Sequence, residues 1–292
     1  MKKKLKGIDI LIIGIIILLV FITIVGVCSF NTDKNYIVVN QYGDNVKIFG
    51  SGIYAHDSYF KAPIFIGSDC TMLFLVVPMI IVALICEIER RTIKSKLLLT
   101  TFIGTVVYYA TSIVFGVTYN ALHLSYIALF SSSFFAFIIL IRSINSDELR
   151  KMQKWILPSN GLSIFLILSG ISLFVAWLPD IIVSIIHGKS LSLIEVYTTE
   201  ITYVLDMGII SPLIFICLFF LKKKDGMGDI LLPIILTLCQ IIGIMLPIQT
   251  IFQTLAGIVV PITALITKLG IFVILAIVAS YFNIKFYKNI TM

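Results

Sequence analysis

The sequence predicts an all-α membrane protein, a bundle of about eight transmembrane helices carrying a small extracytoplasmic β-hairpin element. Composition is the first observation. Apolar residues make up 59% of the 292 positions and charged ones only 13%, with a mean hydropathy of +1.09. Soluble domains carry about a quarter charged residues, so a soluble globule of this composition would expose large apolar areas to water. The second is a series of apolar runs near the ~20 residues that cross ~30 Å of hydrocarbon. The third is the placement of Lys and Arg, which gather on alternate connections between those runs.

In chain order the predicted spans cover about 8–28, 70–86, 97–117, 122–141, 156–178, 201–221, 230–248 and 263–284, within a single polytopic membrane domain over residues 1–292. The first follows a lysine-rich start, with Asp9 expected in the headgroup region. Its end at Cys28 invites comparison with a lipoprotein signal. However, the run exceeds a typical cleavable segment of about 7–15 residues, and Val27 stands where a small residue is needed, so it is expected to remain as an anchor. Residues 29–69 form the extracytoplasmic loop. There, runs at 36–39 and 46–49 flank the turn-rich 41–45, which reads as a hairpin that 53–60 could extend.

Further along, Asn145 and Glu148 have the spacing of a capping box that opens a short surface helix toward Trp155. The stretch 249–262 is expected to be interfacial or re-entrant, because Pro261 disfavours a continuous helix. No internal repeat of the kind found in many secondary transporters is evident. With the termini placed in the cytoplasm, all but five of the 22 basic residues fall inside. The exceptions are Lys34, Lys47, Lys61, Lys189 and Lys268. That distribution accounts for the net charge of +7 without a nucleic-acid partner; the lipid bilayer is the partner implied, and protein partners are left open.

Five cysteines occur with no C-x-x-C spacing, which gives no support to a zinc or thioredoxin-like site. Cys28 and Cys70 end and begin two spans on the same side. A disulfide between them would tie the base of the loop, with a closure effect of roughly 4 kcal/mol. Two unpaired thiols at helix ends are the alternative, and the weight falls there. Cys86, Cys217 and Cys239 are expected to be buried thiols.

An ionisable side chain inside a span is costly and usually faces the bundle interior or a wet cavity. Asp206 is the sharpest such signal. Thr199, Thr202 and Tyr203 lie on adjoining turns and could donate to it, Lys268 could pair with it, and Pro212 would free a carbonyl and kink the helix. A ligand, proton or cation site and a purely structural carboxylate are both compatible with this pattern. In the third span Thr101, Thr105, Tyr108, Ser112, Gly116 and Tyr119 recur every three or four residues and so share a face. Helix packing accounts for that stripe more simply than a substrate path, and Ser131–Ser133 in the fourth span read the same way.

His56, His123 and His187 all fall outside, with Asp57, Asp69, Asp180, Glu195 and Glu200. They would suit a metal or acid–base site, yet no H-E-x-x-H occurs and loops normally carry polar residues. Neither metal nor cofactor is expected. The chain also lacks a G-x-S-x-G elbow, a phosphate loop and a voltage-sensor arginine row.

The segments Gly52–Ser58, Gly67–Asp69, Tyr119–Asn120 and Leu205–Gly208 resemble those of an uncharacterised family of bacterial polytopic membrane proteins. The resemblance implies a multi-pass protein of the bacterial plasma membrane and brings no activity with it. The leading expectation is an outward-facing site for a small solute, ion or lipid around Asp206. The rivals are a membrane-embedded enzyme using the outer histidines with Asp57 or Asp180, and a non-catalytic sensor, immunity or assembly subunit.

Overall fold

The computed structural model describes residues 5–262 and 265–291, with the side chains at 267 and 268 outside the description. Among the described residues eight helices are long and apolar enough to cross a membrane, so the chain is a multi-pass helical membrane protein. They are α1 (Gly7–Val27), α2 (Ala62–Arg90), α3 (Ile93–Gly116), α4 (His123–Arg142), α6 (Asn160–His187), α7 (Ile201–Lys222), α8 (Gly226–Leu255) and α9 (Ile271–Lys288). Between α4 and α6 lies the short α5 (Ser146–Met152). An even number of crossings leaves the start of α1 and the end of α9 on one side. The basic connections after α2, α4 and α7 share that side, here called the basic end.

Local chemistry sets the boundaries. Thr92 and Ser95 cap α3 reciprocally, each backbone N–H donating to the other's hydroxyl at 3.1 Å. The carboxylate of Asp225 accepts the Met227 N–H at 2.8 Å to open α8. Asn145 caps α5 through the Glu148 N–H at 3.1 Å. The surface helix therefore starts where the spacing placed it, but it ends at Met152 before reaching Trp155.

Helix α8 is the central element. Of its most apolar stretch 67% is buried inside the protein, against 33% for α1 and α6 and 28% for α4. It packs on α2, α3, α7 and α9. Small residues permit the closest crossings. A Cβ at Gly67 would come within 2.5 Å of the Gln249 backbone, and one at Gly243 within 2.2 Å of Ala276.

The boundaries of two helices differ from the sequence reading. The second helix begins at Ala62 rather than near residue 70, with Pro63 in its first turn, a position where the missing N–H costs nothing. The external loop is correspondingly shorter, and Asp69 lies inside the bundle. The seventh helix continues through Pro247 to Leu255, so the first half of 249–262 extends the span as regular helix.

The chain carries π-helical turns at Met72–Val76 in α2 and Asp206–Ile210 in α7. Pro78 and Pro212 stand at the same offset beyond them. Each proline lacks an N–H and its ring crowds the carbonyl four residues earlier; a locally wider turn accommodates both effects. At Pro212 the expected irregularity takes the form of a π-turn. A third π-turn, Leu265–Gly270, leads into α9.

At the end opposite the basic one, β1 (Tyr36–Val39) and β2 (Asn45–Ile48) form the expected antiparallel hairpin, extended by a single Ile48–Ser58 bridge. Gly43 turns it in a left-handed conformation (φ 86°). Cys28 and Cys70 are free thiols, so no disulfide ties the loop base. Polar and aromatic contacts anchor the loop instead. Asp9, in the first turn of α1, is fully buried and accepts two bonds from Arg91 at 2.9 and 2.5 Å, a bidentate pair that fixes α1 to the end of α2.

Candidate functional site: a capped intramembrane cavity

The loop after α1 and the one between α6 and α7 interlock into a cap. Asn40 holds its own turn by accepting the Tyr42 and Asp44 N–H groups, both at 2.9 Å. Its amide then donates to the Glu195 carbonyl at 2.9 Å, and Gln41 donates to the Tyr197 carbonyl at 3.1 Å. Ser58 donates to the Glu195 carboxylate, and Lys61 pairs with Glu200. The Lys61 ammonium also sits 4.3 Å from the centre of the Tyr197 ring.

Asp57 is the cap's buried hub. One carboxylate oxygen accepts from the Tyr197 hydroxyl and from the Thr118 N–H, each at 2.9 Å. The other oxygen has no partner among the described residues. Burial pushes its pKa up to about 7, against the weaker opposing pull of those donors and of Lys61. Burial likewise raises the carboxyl of Glu195.

Under this cap lies a cavity of about 570 Å³ between α2, α3, α7, α8 and α9, with Trp177 of α6 closing one side. Phe65, Ile113, Met245, Leu246 and Phe272 make its walls mainly apolar. Lys61 and Glu200 stand at the cap side, and Asp206 lies deeper.

Asp206 is only 4% exposed. It accepts from the Tyr108 hydroxyl at 3.0 Å and from the Trp177 indole N–H at 2.9 Å. An ionised carboxylate has about four acceptor sites, so two bonds leave capacity for a donor arriving from the cavity.

Thr199, Thr202, Tyr203 and Asp206 all line this one cavity, but the expected bonds from the first three to Asp206 are not formed. Side chains on a helix lean toward its N-terminus, and the N-terminus of α7 is at the cap. The Tyr203 hydroxyl is therefore carried away from Asp206 and donates to Asp180 at 2.8 Å, while its ring stacks on Trp177 with centroids 4.8 Å apart. The side chain of Lys268 lies outside the described residues.

Sequence reasoning missed three parts of the site. The donors to Asp206 come from other helices, 98 and 29 residues away in the chain. The polar stripe of the third span did contain a signal, because Tyr108, Ser112 and Gly116 face the cavity while Thr101 and Thr105 pack in the core. Asp69 was read as outside, yet it is fully buried in α2, where Tyr54 donates at 2.7 Å and Tyr109 donates as well. The apolar run of 62–66 ahead of it was the overlooked cue. Tyr108 and Tyr109, adjacent on α3, thus hold two different buried carboxylates.

The residues of the enzyme reading do not converge. His56 is exposed beside the Tyr36 hydroxyl (3.5 Å), His123 lies against the Tyr119 ring, and His187 bonds the Val183 carbonyl. Among the described residues no group of three His, Cys, Asp or Glu side chains is placed to hold a metal.

Comparison of the chain with protein-family models, with curated proteins and with solved structures gives no match. The functional reading therefore rests on the cavity.

Proposed function

We propose that this chain is a binding or transport protein of the bacterial plasma membrane, with a small-solute site centred on Asp206. The observation that carries the reading is a buried carboxylate with spare acceptor capacity, facing a cavity of about 570 Å³. That volume lies in the range of about 300–1,000 Å³ typical of ligand pockets, which combine apolar walls with a few placed polar groups. Placing the basic end in the cytoplasm turns the capped end, and with it the cavity, outward.

The wall chemistry favours an amphipathic solute bearing a cationic or hydrogen-bond-donating group. Apolar side chains cover its body, and Asp206 accepts from its polar group. Uncapping through the Lys61–Glu200 pair provides the outer gate.

Trp177 is itself the reporter. In a Trp155→Phe background it is the sole tryptophan, so titrating purified protein with a panel of small organic cations should quench or shift its emission. Asp206→Asn should abolish that response with the fold intact. A response that survives Asp206→Asn unchanged would rule out the carboxylate as the anchor.

A further inference from the structure

A second cavity, which shares no lining residue with the proposed solute site, lies at the basic end. It has a volume of about 520 Å³ and runs between α2 and α9 over a floor of α3 and α8. Leu75, Leu98, Phe102 and Ile241 make much of it apolar. Three of its apolar lining residues are well exposed, Met79 at 43%, Ile244 at 45% and Ile284 at 56%. They belong to membrane-crossing helices, so the groove opens sideways, toward hydrocarbon.

Its length is informative. From Ser280 to Lys288 the wall rises about 12 Å at 1.5 Å per residue, which is close to half of a ~30 Å hydrocarbon core. The groove thus belongs to a single leaflet.

Its charge is one-sided. Lys94 opens α3 and Lys288 closes α9, so both ammonium groups stand at the basic rim, where the headgroups of that leaflet lie. Among the described residues neither forms an ion pair, and no Asp or Glu lines the groove. Other lysines at this end are engaged differently: Lys96 donates to the Ser143 carbonyl and Lys285 covers the Trp155 ring. Deeper in, Asn283 donates to Thr237 at 3.0 Å and to Gln240 at 2.8 Å, a polar cluster at the floor.

We propose that this groove binds one anionic phospholipid of the leaflet facing the basic end, with an acyl chain along α9 and the phosphate between Lys94 and Lys288. A free phosphate would satisfy the lysines but leave the apolar walls uncovered. A zwitterionic lipid would fill the groove but present its own cation beside the two ammonium groups. Basic pockets between helices at a membrane surface recognise anionic headgroups in this way.

The test is native mass spectrometry of the full chain in detergent, titrated with phosphatidylglycerol, phosphatidylcholine of the same acyl chains, or inorganic phosphate. One retained phosphatidylglycerol is expected. The double variant Lys94→Gln/Lys288→Gln should weaken its retention about thirtyfold, and Lys151→Gln/Lys154→Gln at the same end should leave it unchanged. Ile284→Trp, which fills the groove from its exposed rim without touching a charge, should also displace the lipid. Equal retention of phosphatidylcholine, binding of phosphate alone at comparable affinity, or undiminished phosphatidylglycerol in both groove variants would overturn the proposal.

Discussion

Asp206 persists inside an apolar helix because two donors from other helices meet it. The Tyr108 hydroxyl and the Trp177 indole stand 3.0 and 2.9 Å from its two oxygens. Removing the acceptor while leaving both donors buried costs about 1–3 kcal/mol, so Asp206→Leu should lower the melting temperature in detergent, and Asp206→Asn, which keeps one acceptor oxygen, should lower it less. Asp69 imposes a different constraint. A Cβ at Gly26 would lie 1.7 Å from its Oδ2, so Gly26→Ala should destabilise the α1–α2 contact by about 1–3 kcal/mol through overpacking. Gly14 of the same helix has open space beside it, and Gly14→Ala should leave the melting temperature nearly unchanged.

Asp57 gives the cap a pH dependence whose sign follows from its raised pKa. Between its ordinary value near 3.8 and the folded value of about 7 the docked cap holds a proton that the undocked one releases. Docking is therefore most stable below pH 4 and weakens as pH rises through 7. The protection factors of residues 36–58, which compare measured exchange with the intrinsic base-catalysed rate, should be lower at pH 8 than at pH 5, and Asp57→Asn should flatten the difference. Equal protection factors at the two pH values in the native protein would contradict the assignment.

At the scale of elements, the helices were legible and their irregularities were not. Apolar runs reveal spans because hydrocarbon tolerates little else, and the hairpin shows because Gly43 and its neighbours interrupt two β-branched runs. The start of α2 was hidden by Asp69, a charge that resembles a boundary until Tyr54 and Tyr109 are found around it. The continuation of α8 was hidden by Pro261, which marked the stretch before it as broken, and by the polar Gln249 and Gln253, which bond Ser68 and the Phe60 carbonyl. The π-turns need knowledge of how two halves of one helix pack, which no local pattern contains. Replacing Pro212 with Ala removes the ring that crowds the preceding turn. If α7 then relaxes to a regular helix, residues 201–206 rotate by about 100° relative to 211–222. Solute binding at Asp206 should fall by at least tenfold while the melting temperature is retained.

On the scale of the whole molecule, the two ends differ in chemistry. The basic end is fastened by the buried pairs Asp9–Arg91 and Asp229–Arg150, and the opposite end by a polar cap whose loops come from distant parts of the chain. Much of the candidate site was legible, since four of the residues read from sequence line one cavity. What was not legible is that the cavity is roofed, and that its carboxylate answers to α3 and α6 rather than to its own helix. Those facts depend on packing between segments far apart in sequence.

The central claim is that Asp206 faces an aqueous cavity reached from the capped side. It is tested most directly by Asp206→Cys in a background without native cysteines, labelled in intact cells by a membrane-impermeant thiol reagent. Ile37→Cys on the exposed hairpin and Leu236→Cys in the core of α8 serve as the open and closed references. Labelling at 206 should be intermediate between them and should accelerate when Glu200→Gln loosens the Lys61 gate. Protection equal to that of the α8 reference, with or without the gate, would mean that the carboxylate is a sealed structural group and that the functional surface lies elsewhere.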